Sequence, residues 1–482
     1  MATPRLHLAL QLLLFTVLGA CATLVIAWPK IQTSAILILV ALLIATTLTK
    51  GVGKVVGAIK SLTWWQILWL LLFVSGLVFR ERDLHAVETE PLDGSAIFRI
   101  ALVCITAMVL LFRLSLRKTN WLQHLGRGLT GILGGYCLVC LLSCLWSVYP
   151  AWSGYKSFEF SVDVMALAAV VATATSVETY KSLFDLTWFL VGLLLASVWL
   201  GVLVWPQDAL APGDGIIGVM LSGVMPDVSP NSVGELGALL GVVAFCRLLR
   251  SSSKRSMWIC YALLLIMALS SMGLAQGRSA ILGFSVGIVL VLFFSGRVAV
   301  AAFLGVVGAA LMSLGSIWET ILAFMSRGEN EQKLYSLSDR VNWWSLAWPK
   351  ILENPFMGYG AFAGAKFLVM AQNKIDAGIH SDWVEILVGT GVLGFMLAVL
   401  VLLGTWWCLI RSYRRLSLTP LEHEMAIEAI GILGVVSIRS IFSPDLFWHP
   451  PIVFFAIVGY AEFLRSRQRY TYAMSNQALA HA

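Results

Sequence analysis

The chain has 482 residues, 59% of them hydrophobic and 12% charged, about half the charge of an ordinary soluble domain. A water-soluble fold of that composition would expose large apolar patches, which excludes soluble enzymes and soluble binding modules. The net charge of +7 is spread as Lys and Arg between apolar runs, the pattern of loop anchors beside a bilayer and not of a nucleic-acid-binding face.

Apolar runs long enough to span a bilayer fall at about 8–27, 31–48, 64–79, 97–112, 129–148, 158–175, 186–205, 232–249, 257–275, 279–296, 298–324, 383–410, 425–441 and 451–464. Some are short. They predict an all-α polytopic membrane helical bundle of about 12–14 transmembrane helices. The first run follows Arg5 and contains Leu18-Gly19-Ala20-Cys21, which resembles a lipoprotein cleavage site. Its apolar character continues past Cys21 for a bilayer thickness, so it reads as an uncleaved helix. Of eight cysteines, seven lie within apolar runs. Cys137, Cys140 and Cys144 share a helix face with no His or acid in that run, which reads as packing rather than metal binding or a disulfide framework.

With a cytoplasmic N-terminus, alternate short connections place twenty Lys and Arg inside and five outside. That bias predicts cytoplasmic N- and C-termini. The expected division is residues 1–324 with eleven helices, a large outer loop at 325–382, and C-terminal helices with a cytoplasmic tail at 383–482. The inner loops are short and basic, so chemistry belongs in the outer loops, chiefly 325–382. In that loop Val341, Trp344, Leu346, Trp348 and Ile351 predict a surface helix, and Pro355, Gly358 and Gly360 a tight turn.

Three residues carry the chemical candidates. His380 stands just before a membrane helix with Asp382 and Glu385 close by. A His beside a carboxylate can serve as general base toward a hydroxyl, or it is a solvated loop His. Arg278 sits in a short turn between apolar runs, where its planar fork suits phosphate oxygens or snorkels to lipid headgroups. Arg439 is an arginine inside an apolar run, functional by default or paired with Asp445 or Asp163. Gly389-Thr390-Gly391-Val392-Leu393-Gly394 matches a dinucleotide fingerprint in form only, because no strand precedes it; small residues for close helix approach are the better account.

Several segments, in order, resemble the O-antigen ligase and polymerase superfamily of bacterial glycan-assembly enzymes. These are Ser143-Cys144-Leu145-Trp146-Ser147-Val148-Tyr149-Pro150, Pro230-Asn231-Ser232-Val233-Gly234, Arg278-Ser279-Ala280, and Arg340 with Trp343. Asn354-Pro355-Phe356-Met357-Gly358-Tyr359-Gly360 follows, and then His380-Ser381 through Gly394. The resemblance covers about 140–395 and implies a membrane-embedded, metal-independent glycosyltransferase of the bacterial inner membrane, without cofactor. It implies a donor glycan on undecaprenyl diphosphate at the periplasmic face, and a glycan, lipid A core or protein hydroxyl as acceptor. By position, His380 would be the base, Arg278 and Arg340 the diphosphate clamp, and Asn231, Asp382 and Glu385 supporting residues. One departure stands out: Gly218–Val224 lacks the arginine that the family often carries ahead of its P-N motif, a vacancy that Arg439 could fill in space. The chain length and extra N-terminal helices lean toward an O-antigen or exopolysaccharide polymerase over a ligase. A protein O-oligosaccharyltransferase of the same family is an alternative, and so is a secondary transporter. Against the transporter stand the apolar spans, the polar outer loops and the absence of repeated halves.

Overall fold

The computed structural model describes residues 62–77, 92, 94–116, 121–213, 216–250, 255–313, 315–326, 339–375, 378–415 and 417–480, excluding the side chains of 312, 316–318 and 469–480. The expected spans at 8–27 and 31–48 lie outside these residues. The chain divides into two compact units, 1–116 and 117–482. In the first, α1 (Trp64–Leu77) packs on α2 (Gly94–Ser115) through Leu71, Val74, Phe98 and Leu102.

The second unit is helical almost throughout. It runs α3 (Gly128–Leu142), α4 (Pro150–Thr173), α5 (Val177–Val204), α6 (Pro230–Leu249), α7 (Arg255–Ala275), α8 (Arg278–Phe294), α9 (Val298–Met312) and α10 (Gly315–Ser326). Then come α11 (Arg340–Glu353), α12 (Asp382–Arg415), α13 (Pro420–Phe442) and α14 (Ile452–Ala480). Proline at the first helical position starts α4, α6 and α13, where a missing N–H costs nothing and the fixed φ suits the helix. Thr419 and Glu422 add a capping box to α13. Between α5 and α6 the chain forms two small antiparallel ribbons. β1 (Leu210–Pro212) pairs with β2 (Val219–Leu221), and β3 (Gly223–Val224) pairs with β4 (Asp227–Val228).

The fold is all-α, and among the described residues seven helices are long and apolar enough to cross a membrane: α2, α3 with the 3-10 turn that follows it, α5, α6, α7, α12 and α13. Helices α1, α8 and α9 are apolar but shorter. The expected span at 298–324 is instead two helices, α9 and α10. The bundle interior is built from α6 against α7, α8 against α13, and α12 against α3 and α13. It holds more charge than the apolar runs predict: Lys156, Glu159, Asp163, Glu428 and Arg439 are all buried. Lys156, Glu159, Glu428 and Arg439 are each paired with an opposite charge, and Asp163 is paired with the His449 ring, as a low-dielectric interior requires.

Candidate active site

The motif segments interlock around a break in α12. At Gly391 the helix leaves helical geometry, with φ 64° and ψ −165°. Into that break fits the turn of the N-P-F-M-G-Y-G segment. The amides of Tyr359 and Gly360 donate to the carbonyls of Val388 and Gly389 (2.9 and 2.8 Å), and the Val392 amide donates to Pro355 (2.7 Å). Gly360 has φ 101°, and a Cβ there would overlap Ser147. The segment before α4 closes the other side. Trp146 Nε1 donates to the Met357 carbonyl (3.0 Å), Ser153 Oγ to the Ala361 carbonyl (2.7 Å), and the Ala361 amide to Ser143 Oγ (2.9 Å). These three segments thus fasten the large loop to the bundle. The glycines near 389 serve a backbone joint as well as close packing.

From that joint the chain runs through a π-helical stretch, Gly364–Met370, to His380. Ile379 is buried in an apolar cluster with Ala347, Ile351, Val369 and Val388. Ser381, also buried, caps the start of α12 by accepting from the Val384 amide (3.5 Å). Pinned on both sides, His380 adopts a left-handed backbone, φ 51°, a strained conformation that clusters at functional positions. Its ring lies 5.4 Å from that of Trp343 on α11, and Trp344 Nε1 donates to the Ile379 carbonyl (3.1 Å). The surface helix expected here is present as α11, but of its five pattern residues only Ile351 is buried, beside Ala347, while Val341, Leu346 and Trp348 are exposed. Its first residue is Arg340, preceded by Asp339 in the left-handed region, φ 66°. Burial, and secondly the Arg340 guanidinium, push His380 down to about 4. The imidazole is therefore neutral at physiological pH, the state a general base needs.

The two carboxylates expected beside His380 are directed elsewhere. Asp382 accepts from the amides of Asp445 and Leu446 (both 2.9 Å), and Glu385 accepts from Trp448 Nε1 (3.1 Å). Both fix the connection between α13 and α14 across the first turn of α12. Arg278, at the first residue of α8, donates to the carbonyls of Met325 and Ser326 at the end of α10. Arg278 and Arg340 thus flank the two ends of 327–338, which lies outside the described residues. Asn231 is the second residue of α6, and Gly234 of the same motif packs against Gly277 and Ala280.

Arg439 reaches the junction of those two motifs, donating to Ser279 Oγ (3.2 Å) and Glu235 (2.9 Å). A second carboxylate, Asp445, accepts from its Nε (2.9 Å). The guanidinium is 1% exposed. Asp445 is one of the partners expected from the sequence; Asp163 pairs instead with His449 Nδ1 (2.8 Å). With two carboxylates on one guanidinium, Arg439 presents no spare positive charge to a diphosphate, and its geometry is that of a framework residue.

Sequence reading missed a second polar constellation. On α4, Trp152, Tyr155, Lys156, Glu159 and Asp163 share one face at helical spacing. Lys156, one of the five basic residues of the short outer connections, is buried and paired with Glu159 (2.7 Å). The signal available was that very spacing of charge within an apolar run.

Comparison with protein families gives one match: residues 262–399 fit the family model described as O-antigen ligase. The matched segment includes Arg278, Arg340 and His380, and stops short of Arg439. No curated protein matches the chain.

Proposed function

The chain carries an O-antigen ligase family domain over residues 262–399, and from that premise we propose that it is a glycosyltransferase acting on a lipid-linked glycan at the periplasmic face of the bacterial inner membrane. Both termini are then cytoplasmic, and the donor is a glycan on undecaprenyl diphosphate. The acceptor oxygen attacks the anomeric carbon of the donor's first sugar. The bond from that carbon to the phosphate oxygen breaks, undecaprenyl diphosphate leaves, and His380 takes the acceptor hydroxyl's proton. Arg340 and Arg278 hold the diphosphate through bidentate guanidinium contacts. Diphosphate is a good leaving group, so the protein supplies mainly position, charge stabilisation and a base.

The observation that carries this reading is the geometry of His380, held in a left-handed backbone between two buried residues at the entrance of α12 with the Trp343 ring 5.4 Å away. Arg340 helps hold the imidazole's proton affinity down. A bound diphosphate would offset that charge and strengthen the base when donor is present. The reading favours polymerisation or ligation of glycan.

The test is His380→Ala, compared with Arg278→Lys and Arg340→Lys, which keep charge but lose the fork. A positioned general base is worth about 10²–10⁴ in rate. The inserted, folded His380→Ala chain is expected to accumulate unextended or unligated lipid-linked glycan. Normal product from that variant would remove the base role, and full assembly in both Lys variants would remove the clamp.

A further inference from the structure

The constellation on α4 meets the first turn of α12 through Trp448, which faces Lys156 and donates to Glu385. Lys156 is enclosed by the rings of Trp152, Tyr155 and Trp448 at 5.5, 5.4 and 5.8 Å. Lys366, on the π-helical stretch, lies over Trp152 at 4.9 Å. Glu385 bonds Trp448 and lies in the field of both ammonium groups. Trp152 Nε1 donates to the Phe362 carbonyl (3.0 Å), which ties this face to the loop that ends in His380. Lys156 and Glu159 are buried, whereas Trp152, Tyr155, Lys366, Glu385 and Trp448 are half-buried and form a rim. A small cavity between Tyr136, Phe362, Asp382, Glu385, Phe447 and Trp448 continues behind it.

Each ammonium here has a carboxylate beside it: Lys156 faces Glu159, and Lys366 lies near Glu385. A balanced site has no pull on a diphosphate. Its indole and phenol faces match the C–H face of a sugar ring, and the ammonium and carboxylate at the rim match its hydroxyls. The Lys366 stem is flexible, so its ammonium can leave the Trp152 face to a ring and bond that ring's edge.

We propose that the rim of Trp152, Tyr155, Lys366, Glu385 and Trp448 is a pyranose-binding subsite that holds the acceptor glycan. The acceptor assignment rests on the glycosyltransferase reading above; the pyranose binding does not. The full-length chain in lipid nanodiscs, titrated with methyl glucoside, methyl galactoside and glucuronate, tests it by saturation-transfer NMR. At least one pyranoside binds, and Lys366→Met and Trp152→Leu each weaken it about tenfold or more. Lys366→Met leaves the Trp152 hydrogen bond in place, so it reports even where Trp152→Leu fails to fold. Absence of binding by all three sugars, or unchanged affinity in Lys366→Met, overturns the subsite. Loss of glycan assembly in His380→Ala tests the glycosyltransferase reading separately, so the two fail in different experiments.

Discussion

Replacing Gly391 by alanine probes the joint on which the candidate site hangs. Its φ of 64° and ψ of −165° fall in a region open essentially to glycine, and a side chain there costs about 1–3 kcal/mol. The added Cβ would also overlap the Phe356 carbonyl, so the inserted turn must withdraw. Withdrawal weakens the three backbone hydrogen bonds between 355–360 and 388–392, at 2.7, 2.8 and 2.9 Å, each worth about 1 kcal/mol net. Together these give a destabilisation of about 4–6 kcal/mol, with His380 displaced along with the loop. Thermal unfolding of the purified chain in nanodiscs, followed by tryptophan fluorescence, measures it. Gly273→Ala is the control, because nothing lies within 4 Å of a Cβ there and alanine is favoured over glycine within a helix by about 1 kcal/mol. A Gly391→Ala protein that melts with the wild type and assembles glycan normally would refute the account of the break.

Arg439→Met leaves Glu235 and Asp445 without their shared cation, so a loss of about 3–5 kcal/mol in stability is expected; a stable Arg439→Met chain lacking only diphosphate binding would instead make Arg439 a ligand. His380, pushed down to about 4 from an unfolded value of about 6.5, contributes stability that is complete above about pH 6.5 and lost as pH falls toward 4. The contribution is at most about 3 kcal/mol, and His380→Gln should flatten that part of a stability–pH curve; an unchanged curve would mean the imidazole is not desolvated. With both termini inside, a cysteine at Asn373 is expected to react with an impermeant reagent in intact cells and one at Arg414 not to; the reverse pattern would overturn the topology.

Local signals in the sequence carried far. Pro150, Pro230 and Pro420 start helices because their chemistry acts within a single turn, and the helical spacing of α11 needs only its own residues. The break at Gly391 was hidden, because an apolar run looks continuous whether or not another segment pairs with its backbone. The partners of buried charge were hidden for a related reason. Glu235 lies 204 positions from Arg439, and Asp163 lies 286 from His449, separations that no local pattern records. Arg439 stood out because a lone charge in an apolar run is costly. Lys156 did not, because it falls near the end of a connection and resembles an ordinary anchor.

The interlocking of 143–153, 355–361 and 388–392 also sets the unit of exchange for chimeric enzymes. Transplanting the large loop alone from a related protein would pair a foreign turn with a native helix break and a native strap ahead of α4. Three stretches far apart in sequence must travel together for a grafted loop to seat. Swapping all three while leaving the surrounding helices in place is therefore the smallest change able to move specificity between relatives.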